Sequence, residues 1–134
     1  MARGREEYQA RIAHLNSFGK ELARRAKSKC ELCEVAGDKL SVVVELPPEP
    51  GDPEIGRCLM LCEACADAIR EPKGFQAGDQ WRFLAQMVWS EVPAVQAAAL
   101  RLLKRQEGSQ VWARESLETV FPDEDVEELA AEAG

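Results

Sequence analysis

Cys30-Glu31-Leu32-Cys33 and Cys62-Glu63-Ala64-Cys65 are two C-x-x-C pairs separated by 28 residues. A two-residue gap lets both sulfurs of a pair reach one ion at about 2.3 Å, while backbone N–H groups of the tight turn point at the thiolates. Two such pairs complete a tetrahedral shell, so the fold must bring residues 30–33 against residues 62–65. Four protein ligands leave no position open for water. The expected site is therefore a structural Zn2+ centre on Cys30, Cys33, Cys62 and Cys65, not a catalytic one. The separation exceeds the roughly 15–20 residues usual for this pattern, and a proline-rich interval accounts for the surplus. The fifth cysteine, Cys58, is expected to be a small core residue. A redox dithiol is the competing reading, but it calls for one C-x-x-C beside a βαβ pattern, and here there are two pairs and no such pattern.

Between the pairs, Leu40-Ser41-Val42-Val43-Val44-Glu45-Leu46 is rich in β-branched residues and predicts a strand. Pro47-Pro48-Glu49-Pro50-Gly51-Asp52-Pro53 cannot continue it, because proline removes ladder donors. Arg57-Cys58-Leu59-Met60-Leu61 predicts the returning strand, leading into the second pair and a short helix over 66–71. The cysteine pairs thus flank a hairpin.

Outside the hairpin the period is helical. Tyr8, Ile12, Leu15 and Leu22 sit at helical offsets, Gly19 weakens the middle, and Asn16 or Ser17 is placed to cap a second segment. One interrupted helix or two short ones are expected there. Asp79 is placed to cap a helix carrying Trp81, Leu84 and Val88, and Pro93 to open another with Val95, Ala99, Leu102 and Leu103 on its buried stripe. Ser109 would cap a third helix and Pro122-Asp123 start a fourth, acidic one through Val126 and Leu129. Trp81, Trp89 and Trp112 fall on these stripes and are expected in the core. The fold class read from this order is α+β, mostly α: a zinc-ribbon or treble-clef-like hairpin module followed by a small helical subdomain. The corresponding divisions are a basic helical segment 1–29, a metal module 30–72 and a helical subdomain 73–134.

Charge bounds the partners. The chain carries 17 Lys+Arg against 24 Asp+Glu, a formal −7, which disfavours a general polyanion binder. Residues 1–29 are nevertheless net +5, and the acidic stretch 115–134 holds eight carboxylates and no basic residue. Four thiolates and one Zn2+ sum to −2, which Arg24, Arg25, Lys27, Lys29 and Arg57 are close enough in sequence to offset. The first four of these, Arg24, Arg25, Lys27 and Lys29, are also the candidate nucleic-acid contacts of an alternative reading. No run approaches the roughly 18 apolar residues of a membrane span, and the N-terminus lacks the apolar stretch of a secretory signal, so a cytoplasmic protein is expected.

The order knuckle, strand, loop, strand, knuckle, helix resembles the treble clef of HNH-type nucleases. Their first strand supplies histidines to the catalytic metal; here it reads Val42-Val43-Val44-Glu45-Leu46, and the only histidine is His14. No base, open metal position and activated nucleophile can be assembled from the sequence, so no enzyme is expected. The chain is more similar to the PhnA (YjdM-like) family of small bacterial zinc-ribbon proteins. That resemblance covers roughly residues 24–131 and rests on Ser28-Lys29-Cys30-Glu31-Leu32-Cys33, Leu61-Cys62-Glu63-Ala64-Cys65, Gln80-Trp81-Arg82-Phe83-Leu84 and Met87-Val88-Trp89-Ser90-Glu91-Val92-Pro93-Ala94-Val95-Gln96. It implies zinc on Cys30, Cys33, Cys62 and Cys65 and no particular reaction. Two departures stand out: Glu34 occupies a position where glycine often follows the first knuckle, and many relatives continue into a small β domain whereas this sequence ends at Gly134. The expected role is a non-enzymatic zinc-binding module with a protein partner and no membrane; a nucleic-acid-binding module and a thiol-based redox or metal sensor are the alternatives.

Overall fold

The computed structural model describes residues 2–27, 29–34, 42–46 and 55–130. Two helices open the chain, α1 (Ala2–Ser17) and α2 (Gly19–Ala26), followed by strands β1 (Val42–Glu45) and β2 (Cys58–Leu61). Five helices complete it: α3 (Glu63–Arg70), the single turn α4 (Leu84–Met87), α5 (Pro93–Gln106), α6 (Val111–Thr119) and α7 (Glu124–Ala130). The fold is mostly helical with one two-stranded antiparallel sheet. No described helix is long and apolar enough to cross a membrane. The proline-rich loop over 47–53 and Leu40 and Ser41 of the expected first strand lie outside the described residues.

β1 and β2 pair with Val42 opposite Leu61, Val43 opposite Met60, Val44 opposite Leu59 and Glu45 opposite Cys58. Because side chains alternate across a strand, this register sends Val43, Cys58 and Met60 to one face and Val44, Leu59 and Leu61 to the other. Both faces are covered. The first packs with Leu22 of α2 and with Leu15, Phe18 and Ala26; the second joins Leu46, Ile69 and the α5 residues Leu100, Leu102 and Leu103 in the main core. Coverage on both sides explains why the strands read as unbroken apolar runs rather than alternating ones. Cys58 is fully buried in the smaller cluster, as its small apolar side chain suggested.

α5 is the hub, in contact with α3, α4, α6, α7 and β2. Pro93 occupies its first turn, where the missing N–H costs nothing. Ala94, Ala97, Ala98 and Ala99 are all buried, and such small side chains let neighbouring helices approach closely. The polar residues on this helix tie it to its neighbours. Buried Arg101 donates to the Leu129 carbonyl at 2.8 Å, and Arg105 donates to the carbonyls of Ala68 and Ile69 while stacking over Phe75. Each guanidinium thus satisfies carbonyls at the end of another helix, which favours positive charge. Gln106 accepts from the Gly78 N–H at 3.1 Å and donates to the Leu102 carbonyl at 3.2 Å.

Several local expectations are corrected. Ser17 does not cap α2; its hydroxyl donates back to the His14 carbonyl, a local bond that closes α1, and Phe18 precedes α2 without a side-chain cap. α3 begins at Glu63, three residues early, because extended Cys62 serves as its N-cap. Asp79 starts a 3-10 turn, Asp79–Trp81, rather than a helix, and the helical part shrinks to α4. Neither Asp79 nor Ser109 acts as an N-cap: Gly78 and Gln110 hold those positions. Trp81 and Trp112 are packed partly buried against the core, but Trp89 follows α4 in a turn and is 58% exposed.

Leu102 is fully buried between α5 and its neighbours. Leu102→Ala is expected to reduce unfolding free energy by about 2–5 kcal/mol in urea denaturation.

Candidate metal centre

The first knuckle hangs from β2. The Glu31 N–H donates to the Met60 carbonyl at 3.0 Å, and the Met60 N–H donates to the Glu31 carboxylate at 2.9 Å. These bonds place Cys30 and Cys33 alongside the end of the strand that carries Cys62. The turn closes with the Glu34 N–H on the Cys30 carbonyl at 3.0 Å, and Glu34 takes a φ of +63°. That left-handed conformation is the one glycine adopts without cost, so the departure noted in the sequence leaves the turn intact at a conformational expense. The second knuckle straddles the start of α3, with Cys62 as N-cap and Cys65 in the first turn. The positive end of the helix therefore lies beside two sulfurs.

Cys30, Cys33, Cys62 and Cys65 come together as expected: their four sulfurs all lie within 4.8 Å of one another. Cys33 Sγ and Cys62 Sγ are 3.7 Å apart, close to the roughly 3.8 Å edge of a tetrahedron with 2.3 Å metal–sulfur bonds. Cys30, Cys62 and Cys65 are buried and Cys33 is partly exposed. The donor set fits a soft or borderline ion and can hold one without water.

The protonation pattern points the same way. A hydrogen bond from Cys65 is the largest influence on the Cys30 thiol; burial opposes it, and backbone bonds from Cys62, Cys33 and Leu32 reinforce it, so Cys30 is pulled from 9.0 to about 4. Cys65 is pushed far above the usual thiol range, first by its bond to Cys30, then by burial and by the negative charge of Cys30, Cys33 and Cys62. The opposite shifts belong to the pair as a unit, and metal binding requires that the remaining thiol proton be released.

The basic residues divide. Arg25 is not a surface cation: its Nε and Nη2 donate to the two Glu31 carboxylate oxygens at 2.7 and 2.8 Å, and Nη2 also donates to the Cys58 carbonyl at 2.8 Å. Glu31 is buried and Arg25 mostly so, their side chains being 4% and 27% exposed. This bidentate pair straps α2 to the first knuckle and β2. Arg24, Lys27 and Lys29 are exposed. Lys27 ends α2 in the left-handed conformation, with φ 55°. The strap was invisible in the sequence because charge at positions 25 and 31 reads as solvated surface; the one available signal was their proximity to the first cysteine pair.

No known protein family, characterised protein or solved structure matches the chain. The site itself defines the class, a small mostly helical protein with a cysteine tetrad able to hold one metal ion.

Replacing Arg25 by alanine leaves the Glu31 carboxylate buried without its ion-pair partner, so a loss of about 3 kcal/mol is expected in chemical denaturation. Arg24→Ala, on the exposed side of the same helix, should change stability by less than about 0.5 kcal/mol. Glu34→Gly should leave metal stoichiometry unchanged and be neutral or stabilising by up to about 1 kcal/mol, since it relieves the positive φ.

Proposed function

We propose that the chain is a non-enzymatic zinc-binding module of the PhnA-like zinc-ribbon type that acts by binding another protein in the cytoplasm. The observation that carries this reading is the convergence of four cysteine sulfurs from two knuckles on one point. In this reading the knuckles and the antiparallel strand pair form a zinc-ribbon or treble-clef-like unit whose ion is structural, because four thiolates fill its coordination shell. Bound zinc would cross-link residues 30–33 to residues 62–65 and so couple metal binding to folding. The exposed carboxylates of α7, with Asp123 before it, favour a basic partner surface and would speed encounter with it.

Nucleic-acid binding is the second reading, and exposed Arg24, Lys27 and Lys29 speak for it. Arg25, engaged with Glu31 and the Cys58 carbonyl, is withdrawn from any phosphate contact, and the formal charge of −7 opposes it as well.

Elemental analysis of purified protein should give one zinc per chain. Serine at Cys30, Cys33, Cys62 or Cys65 should release it and loosen the fold, while Cys58→Ser should retain it. Full occupancy in a Cys62→Ser, Cys65→Ser double variant would refute the assignment. Duplex DNA should bind no tighter than about 10⁻⁴ to 10⁻⁶ M at physiological salt; sequence-selective nanomolar binding would favour the second reading instead.

A further inference from the structure

Beside the metal centre lies a cavity of about 290 Å3 between the α2–knuckle junction and the segment joining α4 to α5. Its two sides differ in chemistry. Lys27 and Lys29 stand on one rim, and among the described residues neither ammonium has a hydrogen-bond or ion-pair partner. The opposite wall is apolar: Met87, Val92 and the base of α5 at Val95. Ser90 joins the two. Its Oγ accepts the Val92 N–H at 3.1 Å, and its hydroxyl proton stays available for donation. Arg25 and Glu31 also reach the lining, but each is already committed to the other. They add shape and no net charge. Among the described lining residues the opposing charge comes from Glu34 on the exposed edge and from Cys30 of the metal centre, which the two lysines outweigh only in part.

We propose that this cavity binds a carboxylate attached to a small branched apolar group, its oxygens between Lys27, Lys29 and the Ser90 hydroxyl and its aliphatic part on Met87, Val92 and Val95. Lys27, Lys29 and Ser90 supply donors to the lining, and a charged ligand without an apolar body would leave Met87, Val92 and Val95 wet. The volume suits a group the size of a leucine side chain with its carboxylate. Both a free branched-chain acid and the last residue of a polypeptide present that chemistry.

The test uses the full-length protein with its zinc content measured on the same sample and 4-methylpentanoate as the probe, followed by calorimetry. Saturable binding near about 1 mM is expected for so small a ligand. The corresponding amide should bind at least about tenfold more weakly, because it lacks the charge that the lysines recognise. A Lys27→Gly, Lys29→Ala variant should lose about tenfold while keeping its zinc and its melting curve, both sites being exposed and glycine suiting the left-handed position. Glu34→Gln should tighten binding about two- to threefold by removing the opposing charge. A peptide ending in leucine with a free carboxylate, set against its amidated form, identifies the source. Tighter binding than the free acid assigns the cavity to a chain terminus, and weaker binding assigns it to a small molecule. Equal binding of acid and amide, no saturation by about 20 mM probe, or equal affinity for inorganic phosphate would each overturn the proposal. A protein that holds zinc and binds no probe sinks this inference alone and not the metal reading.

Discussion

Four cysteine sulfurs within 4.8 Å of one another set the terms for the rest of the molecule. Without a cation, thiolates at that spacing repel, and the buried ones lose the water that would otherwise stabilise them. The fold answers with dipoles and with thiols held in different protonation states. α3 turns its N-terminus toward Cys62 and Cys65, the contact between Cys65 and Cys30, with backbone groups of the knuckles, holds the Cys30 thiol down, and the same contact together with burial holds the Cys65 thiol up. Four sulfurs so placed are able to hold one dication, which would replace the repulsion among thiolates with metal–sulfur bonds. A sheet of only two strands is marginal alone. Here its ends are fixed by the knuckles and both its faces are roofed by helices.

Glu31 shows how the site is secured. A buried carboxylate is destabilising unless its oxygens are occupied, and this one receives Arg25 through both oxygens as well as the Met60 N–H. The arginine then reaches the Cys58 carbonyl, so one ion pair ties α2 and the first knuckle to β2, roughly thirty residues on in sequence. An apolar pair of similar volume would give comparable stability in principle. It would not fix the rotation of the knuckle about β2, because only directional bonds to the strand backbone do that.

How much was legible from the sequence follows from the range of the interactions. The cysteine tetrad was readable because metal-ligand spacing is a local rule applied twice. The strand pair was readable from β-branched runs bounded by turn formers, and the α5 stripe of Val95, Ala99, Leu102 and Leu103 from its period, all four being buried. The caps were not. Ser17, Asp79 and Ser109 have the right chemistry, but a short polar side chain has several backbone groups in reach, and tertiary packing decides among them. Trp89 failed for a related reason: its helical offset from Trp81 and Leu84 had meaning only if one helix ran through all three, and the segment is a 3-10 turn, one α-turn and a closing turn. Arg25 with Glu31 and Arg101 with Leu129 were out of reach because their partners are set by the fold.

Those inward arginines also change what the net charge means. Arg25, Arg101 and Arg105 direct guanidinium groups at a buried carboxylate or at backbone carbonyls, and Arg70 donates to the Val43 carbonyl. Arg25 is cancelled at source by Glu31. Arg101 is shielded from solvent, with 2% of its surface exposed. The carboxylates of Glu115, Glu118, Asp123, Glu124, Asp125, Glu127 and Glu128, by contrast, are all exposed. The surface on the α6–α7 side is therefore more negative than a formal −7 spread over the whole chain conveys. Exposed cations are spread more widely, with Lys20, Arg24, Lys27 and Lys29 on or just after α2 and Arg70, Lys73, Arg82, Lys104 and Arg114 elsewhere. On α6, α7 and Asp123 between them, seven exposed carboxylates stand against the single exposed arginine Arg114, and a local field of that sign acts on charged molecules before contact.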